Sequence, residues 1–200
     1  MRVVIRAPRA NDQREFLAAV HRSRRLHRPW AYPPSSPRLF RAYLARSSQN
    51  THKSFLVLLR STGEMVGVVN VSEIVRGPFR SAYLGYYGFV PHTARGYMTE
   101  AMRLVIAKAF GMLKLHRLEA NIQPSNRAST ALVRRVGFRR EGYSPRYLKV
   151  GSRWQDHERW AILKEDWMRA RPRRPSKNPS VRRFTALAKH SKRRPARPVG

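Results

Sequence analysis

Two hundred residues, 42% of them hydrophobic, suffice for one domain with a real core and leave room for an appendage. The absence of cysteine excludes a disulfide framework and a thiolate nucleophile, and it fits a reducing, cytoplasmic setting. A formal charge of +31, from 42 Lys/Arg against 11 Asp/Glu, points to polyanionic partners such as RNA, ribosomes, DNA or an acidic surface.

The charge divides along the chain. Twelve of the basic residues and none of the acidic ones lie between 169 and 200, which leaves 30 basic and 11 acidic residues, or +19, in the body. The stretch "RARPRRPSKNPSVRRFTALAKHSKRRPARPVG" mixes Pro, Ser and basic residues with little periodicity, and predicts a disordered tail over 169–200 behind a domain over 1–168. No apolar run reaches the length of a membrane span, and "MRVVIRAPRAND" has no signal-peptide apolar region.

In chain order, Arg2–Ala7 reads as a strand. Asn11 and Asp12 offer caps for a helix with Phe16, Leu17 and Val20 on one face. "HRPWAYPPSSP" reads as a loop, and Pro37–Arg46 as a second helix capped by Ser35 or Ser36. Strands follow at Ser54–Arg60, Met65–Ile74 and Ser81–Val90, the first two joined by "STGEM". Gly96–Leu113 is the central helix, its stripe of Met98, Met102, Val105, Ala109 and Leu113 spaced at three and four. Arg117–Ile122 is a strand, and Asn126–Val136 a helix stopped by Gly137. Arg139–Val150 and Arg153–Leu163 are strands joined through "VGSR". The order β-α-α-β-β-β-α-β-α-β-β places the body among mixed α/β (α+β) folds.

The segment "FVPHTARGYMTEAMRLVIAKAF" runs from a strand through one glycine into a helix. A helix start leaves backbone N–H groups unpaired and carries partial positive charge. Gly96 lets a ligand approach the backbone, and Arg95 adds a full charge, so the loop can cradle a pyrophosphate. Taken alone, it reads more readily as an ordinary strand-to-helix turn. Five blocks in order, "VRGPFRSAYLGY", "ARGYMTEA", "NRAS", "GFRREGY" and "YLKVGSRWQDH", resemble the GCN5-related N-acetyltransferases (GNATs), within them the RimJ/RimL-like group that acetylates ribosomal-protein N-termini. The resemblance covers about residues 2 to 167.

That resemblance implies a GNAT fold: a mostly antiparallel sheet of about seven strands with about four helices, splayed between the strands near 81–90 and 117–122. It implies acetyl-CoA as cosubstrate, with the pyrophosphate on Arg95, Gly96, Tyr97, Met98 and Thr99. It implies that the pantetheine arm bonds to the backbone of Phe89 and Val90, with Asn126 contacting the arm. The family pattern Gln/Arg-x-x-Gly-x-Gly/Ala reads Thr93, Gly96, Met98 here, so its first and last positions depart. The tyrosine acid of many GNATs falls at Val133; the serine of the RimL-like pattern is Ser129, which the resemblance makes the proton donor to the leaving thiolate. The glutamate before the "YL" block is replaced by Arg146, leaving Glu73 or Asp156 to act through water and His157 as a possible relay.

Trp30, Tyr32, Glu73, Tyr87, Tyr147 and Asp156 are the candidates for an acceptor groove, and alternation along the strand allows only one of Tyr86 and Tyr87 to face it. The remaining histidines lack metal-ligand spacing, so no metal site is expected. The function expected is acetylation of a protein N-terminal α-amine, with ribosome or rRNA contact through the basic body and tail. Acetylation of a small amine, or RNA binding by a weakly catalytic GNAT-fold protein, are the alternatives.

Overall fold

The computed structural model describes residues 1–170. The order is β1 (Val3–Arg6), a 3-10 turn (Ala10–Asp12), α1 (Gln13–Arg22), α2 (Arg24–His27), α3 (Pro37–Ser47), β2 (Lys53–Leu59), β3 (Met65–Val75) and β4 (Ser81–Gly88). Then come α4 (Tyr97–Gly111), β5 (Arg117–Ile122), α5 (Arg127–Arg135), β6 (Arg139–Val150), β7 (Arg153–Leu163) and α6 (Lys164–Ala170). All seven expected strands form. Two helices beyond the four expected are present. Arg24–His27 is a single turn, too short to show a period, and Lys164–Ala170 buries only Trp167. The second runs through the boundary expected after residue 168; the tail expected beyond it, residues 171–200, lies outside the described residues.

The strands form one sheet ordered β1-β2-β3-β4-β5-β7-β6. Every neighbouring pair is antiparallel except β4 and β5. The sheet is buried on both faces. Val66, Val69 and Val71 of β3 meet Ala101, Met102, Val105 and Ile106 of α4 and Val133 of α5. On the other face Met65 and Val68 meet Phe16 and Val20 of α1 and Phe40 and Tyr43 of α3. That is why Met65–Val69 is buried without a break where a half-exposed strand would alternate. A bulge between Val57 and Leu58 resets the phase.

The local signals act as their chemistry demands. Ser36 caps α3, its Oγ accepting the Leu39 N–H at 3.3 Å, with Pro37 at the first helical position. Asn126 caps α5, its Oδ1 accepting the Ser129 N–H at 3.1 Å. Gly137 stops α5 at φ 100, and the Phe138 N–H returns to the Val133 carbonyl at 3.0 Å. Asp12 differs from its expected role. Its carboxylate turns back to the Arg9 N–H at 2.6 Å and the Arg6 guanidinium at 2.6 and 2.7 Å, pinning the 3-10 turn to β1. Burial raises its pKa, but the Arg6 bonds, the Arg9 N–H and both positive charges outweigh burial and hold it below 3.8.

Asp12→Asn is expected to cost about 1–3 kcal/mol at pH 7. A depressed folded pKa makes this contribution fully present above the ordinary value of 3.8 and lost as pH falls through the folded value. Urea unfolding of variant and wild type should therefore converge in acid. A side chain at Gly67 would place its Cβ 2.5 Å from the Tyr87 carbonyl and 2.7 Å from the Met98 sulfur. The carbonyl is backbone and cannot yield, so Gly67→Ala should lose about 1–3 kcal/mol in the same measurement.

Candidate active site

The parallel pair β4–β5 is short: Ser81, Ala82 and Tyr83 pair with Arg117, Leu118 and Glu119. Beyond them β4 continues beside β3 to Gly88, and β5 continues beside β7 to Ile122, so the two strands part. A cavity of about 550 Å3 passes through the gap. Because it passes through the sheet, it touches both faces. Tyr86 and Tyr87 therefore both line it, where strand alternation alone allowed one.

One side of the cavity carries Asn126 and Ser129 at the start of α5, with Asn121 and His157. The other carries Trp30 and Tyr32 of the loop before α3, Tyr43, Ser47, Asn70 and Glu73. Four of the six expected groove residues, Trp30, Tyr32, Glu73 and Tyr87, line it; Tyr147 and Asp156 do not. The Asp156 carboxylate is held by the Tyr143 hydroxyl and by the Arg146 N–H at 2.7 Å. Tyr147 instead lies edge-on to the His157 ring, 6.3 Å between centroids. Tyr32 reaches the β6–β7 turn, where a Cβ on Gly151 would meet its hydroxyl at 2.9 Å, so the hairpin tip closes over the mouth. Glu73 sits at φ 50 in the β3 bulge, exposed, with Oε1 3.5 Å from His52 Nε2.

At the proton-donor position, Val133 is fully buried in the core. A hydroxyl from another element lies instead beside Ser129. Tyr86 reaches from β4 to the Ser129 carbonyl at 3.4 Å, and burial pushes its pKa to about 12. It is thus a neutral hydroxyl beside Ser129. Its place in the sequence, 43 residues upstream, left no local signal.

The glycine turn is built as its residue types suggest. Gly96 is left-handed at φ 77 and precedes α4. The Tyr97 and Met98 N–H groups have no acceptor within the helix, whereas Thr99 and Glu100 donate to the Gly96 carbonyl. Arg95 is exposed. Met98 points its side chain into the core over Gly67, so the departure from a small residue is spent on packing while the amide stays in the turn. Arg2 was not anticipated. Its guanidinium pairs with Glu100 at 2.6 Å, donates to the Arg95 carbonyl at 3.0 Å and stacks 4.6 Å from the Tyr97 ring centre. It neutralises the one acid in the first turn of α4. A Cβ-free turn with free amides and net positive charge fits a diphosphate.

The expected contact at the end of β4 is not open in this conformation. The Phe89 N–H goes to the Val66 carbonyl at 2.7 Å, and the Val90 N–H goes to Ser23 Oγ at 3.0 Å. His27 Nε2 donates to the Gly88 carbonyl at 2.8 Å. The α1–α2 junction, packed against this strand end, supplies Ser23 and His27, and β3 supplies Val66. None of residues 89, 90 or 95–99 lines the cavity; the lining on β4 ends at Tyr87, and a Cβ added at the next residue, Gly88, would be 3.7 Å from Met98 Cγ.

Comparison with known proteins agrees with this geometry. A [Ribosomal protein uS5]-alanine N-acetyltransferase of Escherichia coli is 38% identical over 104 residues, 52% of this chain and 54% of that protein, so the match spans about half of the relative's length. The structure of Mycobacterium smegmatis RimJ in complex with CoA-disulfide superposes with a TM-score of 0.75 at 28% identity, covering 82% of each chain. Spermidine N-acetyltransferase from Vibrio cholerae, in complex with CoA and spermine, shares the fold with a TM-score of 0.72 at 21% identity, covering 84% of this chain and 98% of that one. Residues 2–139 match the acetyltransferase (GNAT) domain, and with the parted strands, the glycine turn before α4 and the Asn126 cap in place, the chain belongs to the GNAT family of acetyl-CoA-dependent N-acetyltransferases.

Proposed function

We propose that the acceptor is the α-amine of a protein N-terminus, most naturally that of a ribosomal protein, and that Ser129 protonates the leaving CoA thiolate. The observation that carries the reading is the cavity's poverty in carboxylates: among the described residues Glu73 is the only one lining it, and it is exposed and shared with His52. An α-amine has a pKa of about 7.7–8, so about a tenth is already neutral at pH 7, whereas a lysine near 10.4 is neutral to less than about one part in a thousand. A site without a strong internal carboxylate base suits the first acceptor better than the second. The aromatic mouth of Trp30 and Tyr32 suits the first side chain of a peptide, and the gap between β4 and β5 leaves room for an acetyl-pantetheine arm beside Asn126. The identified relatives named for ribosomal-protein acetylation support the same acceptor, and a body charge of +19 would concentrate the enzyme on rRNA in a salt-sensitive way.

Acetyl-CoA should raise the unfolding temperature of the full chain. Gly96→Val, forced into a left-handed turn at a cost of about 1–2 kcal/mol, should weaken that cofactor's Kd at least about tenfold, measured by calorimetry.

A panel of N-terminal peptides with matched α-blocked controls tests the acceptor. Turnover is expected only with the free α-amine; acetylation that survives blocking, or that favours a small polyamine, would refute it. Ser129→Ala should lower kcat more than about tenfold. A smaller loss would pass the proton-donor role to another hydroxyl, with Tyr86 the nearest.

A further inference from the structure

His157 is the group in the cavity that the reading above leaves unused. It lies on β7 and is 3% exposed, yet it lines the cavity with Asn121, Asn126 and Ser129. Its neighbour Glu158 pairs with Ile122, the last residue of β5 before the turn into Asn126. The ring is therefore fixed beside the strand end where the cofactor arm and the acceptor must meet.

Its orientation is set from behind. Nδ1 lies 2.9 Å from the Gln155 carbonyl. A carbonyl oxygen only accepts, so Nδ1 carries the hydrogen, and in the neutral ring Nε2 carries a lone pair. The Tyr147 ring, edge-on at 6.3 Å, limits rotation. Burial lowers the pKa below its ordinary 6.5, opposed by the Gln155 bond and the Asp156 charge. The ring is then mostly neutral at pH 7 without needing an ion-pair partner.

We propose that His157, through Nε2, is the general base that takes the proton shed by the attacking amine. The step balances. The amine lone pair forms the C–N bond to the acetyl carbonyl carbon, and the C–S bond breaks with its electron pair passing to sulfur. The surplus proton on nitrogen moves to His157 Nε2, and the CoA thiolate is protonated from the Ser129 side. Solvent then takes the proton from His157 and restores the donor. This assigns to an imidazole the role left empty at Arg146. It depends on the amine acceptor proposed above.

The groups whose charge bears on this ring are Tyr147 from β6, Asp156 and Glu158 flanking it on β7, and Arg46, His52 and Glu73 around the cavity. Of these, Asp156 is tied to Tyr143 and Arg146, and Glu158 to Arg140 at 3.0 Å.

The test uses the full chain with His157→Asn and His157→Gln. The Asn amide can keep the donation to Gln155, but neither variant can accept a proton near neutral pH. Both are expected to bind acetyl-CoA like the wild type and to lose at least about tenfold in kcat with acceptor KM within about twofold. The wild-type rise of kcat with pH through a limb below 6.5 should vanish in both, since the neutral ring is the active form. If His157→Asn keeps its rate to within about threefold, the role is structural and the proposal falls. Slow hydrolysis of acetyl-CoA, with water replacing the amine, separates the two readings. If the wild type acetylates no peptide, the acceptor assignment fails, and the same tenfold loss or its absence in hydrolysis still decides His157. If the variants do not fold, 15N NMR of the wild-type imidazole decides it: hydrogen on Nε2 rather than Nδ1 at neutral pH overturns the proposal.

Discussion

The divergence of β4 from β5 is the constraint on which the rest of the molecule depends. Parallel strands buried between two helical layers have every reason to stay paired, because an unpaired backbone group inside a protein is costly. Here they pair over three residues and separate. The open edges must then be answered by something, and both α5 and the α1–α2 junction are placed to answer them. Ser23 and His27 take up the far end of β4, while Asn126 and Ser129 face the gap from the end of β5. The cavity is the space this arrangement cannot fill with protein.

Two layers of core let the strands part without collapse. The Phe16–Phe40–Tyr43–Phe89 cluster holds one side of the sheet, with Phe16 and Phe40 rings 4.8 Å apart. The α4 stripe of Met102, Val105 and Ala109 holds the other. Met98 and Gly67 join that core to the glycine turn, so the turn's geometry is a consequence of packing as much as of its own residues. Arg2 adds an electrostatic tie from β1 to α4, and it offsets the Glu100 charge beside the Gly96 turn.

Much of the fold was legible because its signals are local. β5, β6 and β7 were bounded correctly by alternation and by the Gly151 turn, and the Asn126 and Gly137 punctuation bounded α5. The short helix α2 was not legible, since one turn has no period. Asp12 was read as a helix cap because its type and place fit, but a nearby arginine on β1 outbid the helix for its carboxylate. The site was legible in its glycine turn, its Asn126–Ser129 spacing and its Trp30–Tyr32 wall. It failed at Asp156 and Tyr147, where strand position was known but the direction and partners of the side chains were not, and at the Phe89 and Val90 amides, which are satisfied from other elements, by the Val66 carbonyl of β3 and by Ser23 at the end of α1.

By itself, the amino-acid sequence determined the seven strands, the four longer helices, their order, the charge of the body and tail, and the chemistry available at each turn, because propensity, capping and periodicity act over a few residues. Only the tertiary structure decided which groups meet. Arg2 lies at the Gly96 turn from 93 residues away, Tyr86 meets Ser129 across 43, and Tyr32 closes on the Gly151 hairpin. Those meetings follow from strand pairing and from two cores closing on one sheet, and no local pattern encodes them.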